Sequence, residues 1–221
     1  YRRQRQMCIR DRTRGDPMSK KNKKTETLDY QDMEKVFEEL GFRGFTVREY
    51  DKEMEWLFSC EKEDNAEIHM IDVVPSSLAN GENAGIALME KHYYKKKTFQ
   101  KLKEAWKEII LHFACYYPLE SVFVTGTILP SDEDFYQKTP NEDGYCLEFP
   151  IKYISDLDRL IARVEKKTYG SLKFWFPSLH MVFLYTGDVY MMVNLKEVTE
   201  ENKAAFELLG KIAQGRGLFL L

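Results

Sequence analysis

No two cysteines lie close together in this chain. Its four, Cys8, Cys60, Cys115 and Cys146, form no CxxC pair. That excludes a zinc knuckle or a dithiol redox pair and leaves reduced, buried thiols as the reading. No apolar run approaches the ~20 residues that a membrane-spanning helix needs. No N-terminal stretch follows the basic, apolar, small-residue order of a secretory signal. A cytoplasmic location without membrane association is the expectation. Catalytic signatures are missing as well. There is no GxSxG nucleophile elbow. The glycine-containing loop Gly81–Gly85 (GENAG) lacks the Lys-Ser/Thr of a phosphate loop, and its Glu82 would repel phosphate.

What is present is enough apolar material for a packed core. Of 221 residues, 43% are hydrophobic and 14% aromatic, which suits one large domain or two small ones. The net charge of -3 conceals an asymmetry. Residues 1–28 carry ten Lys or Arg against Asp11, Asp16 and Glu26, a net of +7. The remainder holds 23 basic and 33 acidic residues, a net of -10. A negative body repels phosphate backbones and favours basic partners. Tyr1–Arg12 (YRRQRQMCIRDR) has no periodicity and resembles the translated read-through of a sequencing adapter. The expected natural start is then Met18. The rival reading, a basic arm for nucleic acid, is set aside, and residues 1–17 carry no functional argument.

The stretch around which the fold is read is Phe174–Leu195 (FWFPSLHMVFLYTGDVYMMVNL). Met181–Tyr185 and Asp188–Val193 are short apolar runs with almost no alternation, as in strands covered on both faces. Thr186-Gly187-Asp188 supplies a turn. The expected fold class is α+β: a mostly antiparallel sheet centred on a buried 181–193 hairpin and packed by helices, with two small subdomains as an option.

Three segments are expected: a disordered basic leader at 1–28, a helix with a three-stranded meander at 29–80, and an α+β core at 81–221. In the second, a helix from Asp29 ends at Gly41, and strands follow at 45–50, 54–60 and 66–74. In the third, Phe99, Leu102, Trp106, Ile109, Ile110 and Phe113 share one arc of a helix over 99–116. Leu111 and Cys115 fall on its opposite side, so its last turns are expected to be buried all round. Strands at 121–129 and 145–154 flank a long acidic loop, and Pro150 marks the second as an edge. Ser155 caps a helix whose Leu157, Leu160, Ile161 and Val164 face inward. Thr199 opens the last helix, and Leu218–Leu221 closes the sheet.

Tests for chemistry give little. Gly126-Thr127 followed by Asp132-Glu133-Asp134 is similar to the Gly-Ser/Thr and D-x-D arrangement of nucleotidyltransferases. The acids follow too closely to reach back from a neighbouring strand. Asp156 and Asp158 suit a helix N-terminus by charge alone. His112 and Cys115, at i and i+3, have a ligand geometry but no second pair to complete a metal site. His69 alternates with Ile71 and Val73 and reads as a core or interface residue. No catalytic residue, metal ligand or cofactor is assigned.

The acidic loop is the most suggestive feature. Asp132, Glu133, Asp134, Glu142 and Asp143 surround Phe135 and Tyr136. Carboxylates can steer a basic protein partner while the aromatics supply buried area. The function expected is a non-enzymatic, acidic protein-interaction module. In size, charge and make-up it is similar to partner-neutralising proteins such as bacterial toxin immunity proteins, with no motif behind the similarity. Two alternatives stand beside it: an enzyme with a site of dispersed acids and histidines, and a nucleic-acid-binding protein using Lys95, Lys96 and Lys97. The acidic body weighs against the latter.

Overall fold

The computed structural model describes residues 35, 38–39, 41–49, 66–75, 89, 91–125, 145–151, 154–164 and 171–221. Within them lie β1 (Thr46–Glu49), β2 (Glu67–Asp72), α1 (Lys96–Ala114), β3 (Ser121–Thr125), β4 (Tyr145–Pro150), α2 (Ile154–Arg163), β5 (Ser171–Phe176), β6 (Met181–Tyr185), β7 (Tyr190–Leu195), α3 (Glu200–Gly215) and β8 (Phe219–Leu220). The strands form one sheet in the order β1-β4-β3-β5-β6-β7-β2-β8, with every pairing antiparallel. The fold is therefore α+β, and the hairpin of β6 and β7 lies at the middle of the sheet.

The lack of alternation in that hairpin has a direct cause. Met181, Phe183 and Tyr185, with Met191, Val193 and Leu195, join the core that includes the helices' apolar residues. Val182, Leu184 and Met192 alternate with them and are buried as well. With neither face wet, no polar residue is required at every second position. The connection is longer than a tight turn. β7 begins at Tyr190, so Asp188 belongs to the turn rather than to the strand. Gly187 takes φ +74°, a conformation that a side chain would strain. Asp188 is buried because it is bonded: its Oδ1 accepts from the Tyr94 hydroxyl at 2.8 Å and its Oδ2 from Thr186 Oγ1 at 3.2 Å.

α1 lays its apolar arc on the sheet. Trp106, Ile109, Ile110 and Phe113 have no exposed surface. The Phe113 ring meets Phe176 edge-on at 5.0 Å and Phe183 at 5.1 Å. Each such side chain stabilises the fold by about 1.5–3 kcal/mol through burial. Its last turns are not buried all round, contrary to expectation: His112 and Cys115 are exposed and Leu111 is half-buried. The sheet covers only one side of this helix, and on the outer side Arg216 reaches across from the end of α3 to Glu108 at 2.8 Å.

α2 buries Leu157, Leu160, Ile161 and Val164 as expected. It ends at Arg163, and Lys103 of α1 terminates it. The Lys103 ammonium is buried and donates to the carbonyls of Ala162 at 3.3 Å and Val164 at 3.2 Å. A cation there satisfies carbonyls that the helix leaves unpaired and complements its dipole. α3 starts conventionally: the Asn202 amide donates to Thr199 Oγ1 at 3.2 Å, and Glu200 and Glu201 occupy the first turn.

β4 is not an edge strand. It lies between β1 and β3, and Pro150 is its last residue, opposite Ser121. A missing N–H at a strand end interrupts no ladder, which reconciles the proline with an interior place. The helix expected from Asp29 is described only at residues 35, 38 and 39, but its end is clear. Gly41 has φ +78° and its amide donates to Glu38 at 2.8 Å. The strand expected at 54–60 lies outside the described residues. The strands on either side of it, β1 and β2, stand far apart in the same sheet.

Candidate interaction surface

The acidic-loop residues Asp132, Glu133, Asp134, Phe135, Tyr136, Glu142 and Asp143 lie outside the described residues; their anchors do not. β3 ends at Thr125 and β4 begins at Tyr145. The two strands are antiparallel neighbours, with Val124 opposite Leu147, so the anchors stand about one strand spacing, ~5 Å, apart. Both strands are rooted in the core through Val122, Val124, Leu147 and Phe149.

Beneath these anchors the other face of the sheet carries polar pairs around the buried Phe123. Glu148 accepts from Ser121 Oγ through Oε1 and from Arg48 Nη1 through Oε2, both at 2.7 Å. Thr125 Oγ1 and Ser171 Oγ share a hydrogen bond of 2.7 Å. Cys146 is buried among them, and burial pushes its thiol up to about 12 from 9.0 despite the nearby charge of Lys173. A thiol so poorly ionised is a weak nucleophile. The expectation of buried thiols thus holds for Cys146 and fails for Cys115, which is exposed; Cys8 and Cys60 lie outside the described residues.

The lysines Lys95, Lys96 and Lys97 stand at the start of α1, all exposed. Lys95 is the N-cap residue without a side-chain cap, and the first turn contains no acid. The Tyr94–Asp188 bond ties this corner to the β6–β7 turn. That turn and the Thr125 and Tyr145 anchors lie at one end of the sheet, because β3 and β6 both end there and β4 and β7 both begin there.

His69 and His180 are each satisfied locally. His69 has Nε2 at 2.9 Å from Glu67 Oε2 and Nδ1 at 3.2 Å from the Leu221 carbonyl, and its ring lies 4.1 Å from that of Phe206. His180 Nδ1 is 3.4 Å from Glu197 Oε1. The two rings thus engage different carboxylates. Among the described residues, no group of three His, Cys, Asp or Glu side chains is placed to hold a metal ion. No described helix is long and apolar enough to cross a membrane.

Phe174 and Phe176 are core, and Trp175, on the other face, is partly exposed. Its ring lies nearly parallel, at 13°, to that of His180, 6.5 Å away. His180 has φ +44°, which is uncommon for a residue with a side chain. Neither that stack nor the buried role of Lys103 was visible in the sequence pattern. Lys103 does fall within the apolar arc of α1, and a cation at such a position is the signal that it has a buried partner.

Comparison with protein-family models, curated proteins and solved structures finds no match. The functional reading therefore rests on the residues.

Proposed function

We propose that this chain is a non-enzymatic, acidic interaction module that docks a basic protein partner through Asp132, Glu133, Asp134, Phe135, Tyr136, Glu142 and Asp143, in the manner of partner-neutralising proteins. The observation that carries the reading is the pair of anchors. A stretch with five carboxylates and two aromatics is held at both ends by adjacent, core-rooted strands. Fixing both ends lowers the conformational entropy that docking must remove. The net charge of -10 over residues 29–221 extends the same sign over the body, which accelerates encounter with a cationic surface. The exposed free thiol of Cys115 suits a reducing, cytoplasmic setting.

The test uses partners co-purified with the full chain. A variant carrying D132N, E133Q, D134N, E142Q and D143N is compared with the parent by stopped-flow association at about 50 and about 200 mM salt. The expected partner is basic, binds more slowly at the higher salt, and loses most of its association rate with the variant. Recovery of only small metabolites, or a partner indifferent to the five changes, would sink the reading.

A further inference from the structure

The beginning of α1 is built against the preferences of a helix. A helix N-terminus carries partial positive charge and favours acids and side-chain acceptors. α3 follows that rule with Thr199, Glu200 and Glu201. α1 has Lys95 at its cap, Lys96 and Lys97 in its first turn, and neither a capping side chain nor an acid. Lys101 lies one turn beyond Lys97, and Lys91 lies just before the corner, where the Lys95 amide donates to the His92 carbonyl at 3.2 Å. All five lysines are exposed. Other cations of the fold have acidic partners: Lys107 with Glu104 and Asp158, Arg216 with Glu108, and Arg48 with Glu148. Among the described residues none of these five has an acidic partner, and no acid occurs in the sequence between Lys91 and Lys103. Among the described residues this concentration of charge makes no ion pair that would stabilise the fold.

We infer that Lys91, Lys95, Lys96, Lys97 and Lys101 form a surface for the phosphate backbone of a nucleic acid, which they hold without reading its bases. Ammonium groups on long stems bind phosphates as point charges. The aromatic neighbours are already engaged. Tyr94 is held by Asp188, and Tyr93 packs against the core, so neither offers the free ring that stacking on bases requires. The described patch also lacks an exposed large apolar side chain; those described lie at Tyr116, Val198 and Phe219. A lipid surface would need apolar residues to insert, and a protein partner would need a buried anchor. A hydrated phosphate chain needs neither. This inference does not depend on the acidic docking stretch; the negative body opposes long-range attraction to phosphate, so the contacts are local to the lysine corner, within the ~10 Å over which charge acts at about 0.1 M salt.

The test is fluorescence anisotropy with the full chain and a labelled duplex of about 20 base pairs, against the triple variant K95E/K96E/K97E. Because the basic residues 1–28 are common to both proteins, the difference between them reports the patch. The parent is expected to bind with a salt slope larger by about 2–3 than that of the variant, at about 0.9 per phosphate contact. At about 50 mM salt its affinity is expected to be about tenfold or more the tighter. A melting temperature unchanged or raised in the variant shows that the fold is intact, since acids suit that helix end. Equal affinity and equal slope would overturn the inference. So would charge-dependent binding to phosphatidylserine vesicles or to a polyglutamate peptide with none to the duplex.

Discussion

Trp106 has no exposed surface, and its indole Nε1 has no hydrogen-bond partner among the described residues. Packing against the sheet, including a 6.1 Å approach to the Tyr185 ring, outweighs the cost of that orphaned donor. Trp106→Ala is expected to destabilise the protein by about 3–5 kcal/mol through the cavity it leaves. Trp106→Phe should cost clearly less, because it removes the unpaired N–H and keeps most of the ring. Urea denaturation of both variants checks the order, and equal losses would contradict it.

Cys146 and Cys115 make a second contrast at the scale of single residues. Native-state alkylation at about pH 8, read peptide by peptide by mass spectrometry, is expected to label Cys115 and spare Cys146 until the protein unfolds. Burial raises the Cys146 thiol from 9.0 to about 12. Between those values the unfolded chain has already lost the proton that the folded chain retains. The contribution of this group to stability is therefore present below pH 9 and lost as pH rises toward 12. Cys146→Ala should flatten the fall of melting temperature over that interval, and an unchanged profile would refute the assignment.

At the scale of elements, ends and turns decide what the apolar patterns leave open. α3 has the cap and acids that its sequence promises, and Thr199→Ala is expected to cost about 1 kcal/mol in thermal or chemical denaturation. The β6–β7 turn is held from outside. Tyr94 donates to Asp188 across 94 positions of sequence, a link that no local pattern reveals. A double-mutant cycle of Tyr94→Phe and Asp188→Asn is expected to show a coupling of about 1 kcal/mol or more, as for hydrogen bonds to charged acceptors. A coupling near zero would mean that the turn stands by itself. The Lys103 cap of α2 is of the same kind: one acceptor lies in the last turn of another helix and the other just beyond it. The misplaced edge at β4 has the same origin, since a strand's neighbours are set by pairing across the fold and not by its own residues.

Across the whole molecule, one sheet joins β1 at one side to β2 and β8 at the other. Although a division near residue 80 was open from the sequence, strands from both sides of it share this sheet. Urea unfolding followed by far-ultraviolet circular dichroism and by tryptophan fluorescence is therefore expected to give one coincident transition. Two separated transitions would favour independent subdomains.

By itself the sequence determined where the apolar mass lies: the almost uninterrupted runs at 181–185 and 188–193, the arc from Phe99 to Phe113, and the inward residues of α2. These are local periodicities, and burial of apolar area is strong enough to enforce them wherever the segments end up. Only the tertiary structure decided the strand order, the interior place of β4, the outward turn of Cys115, the buried ammonium of Lys103 and the convergence of the lysine corner with the β3 and β4 anchors at one end of the sheet. Each of these depends on a partner distant in sequence, and pairing energies between distant residues leave no periodic trace in the chain.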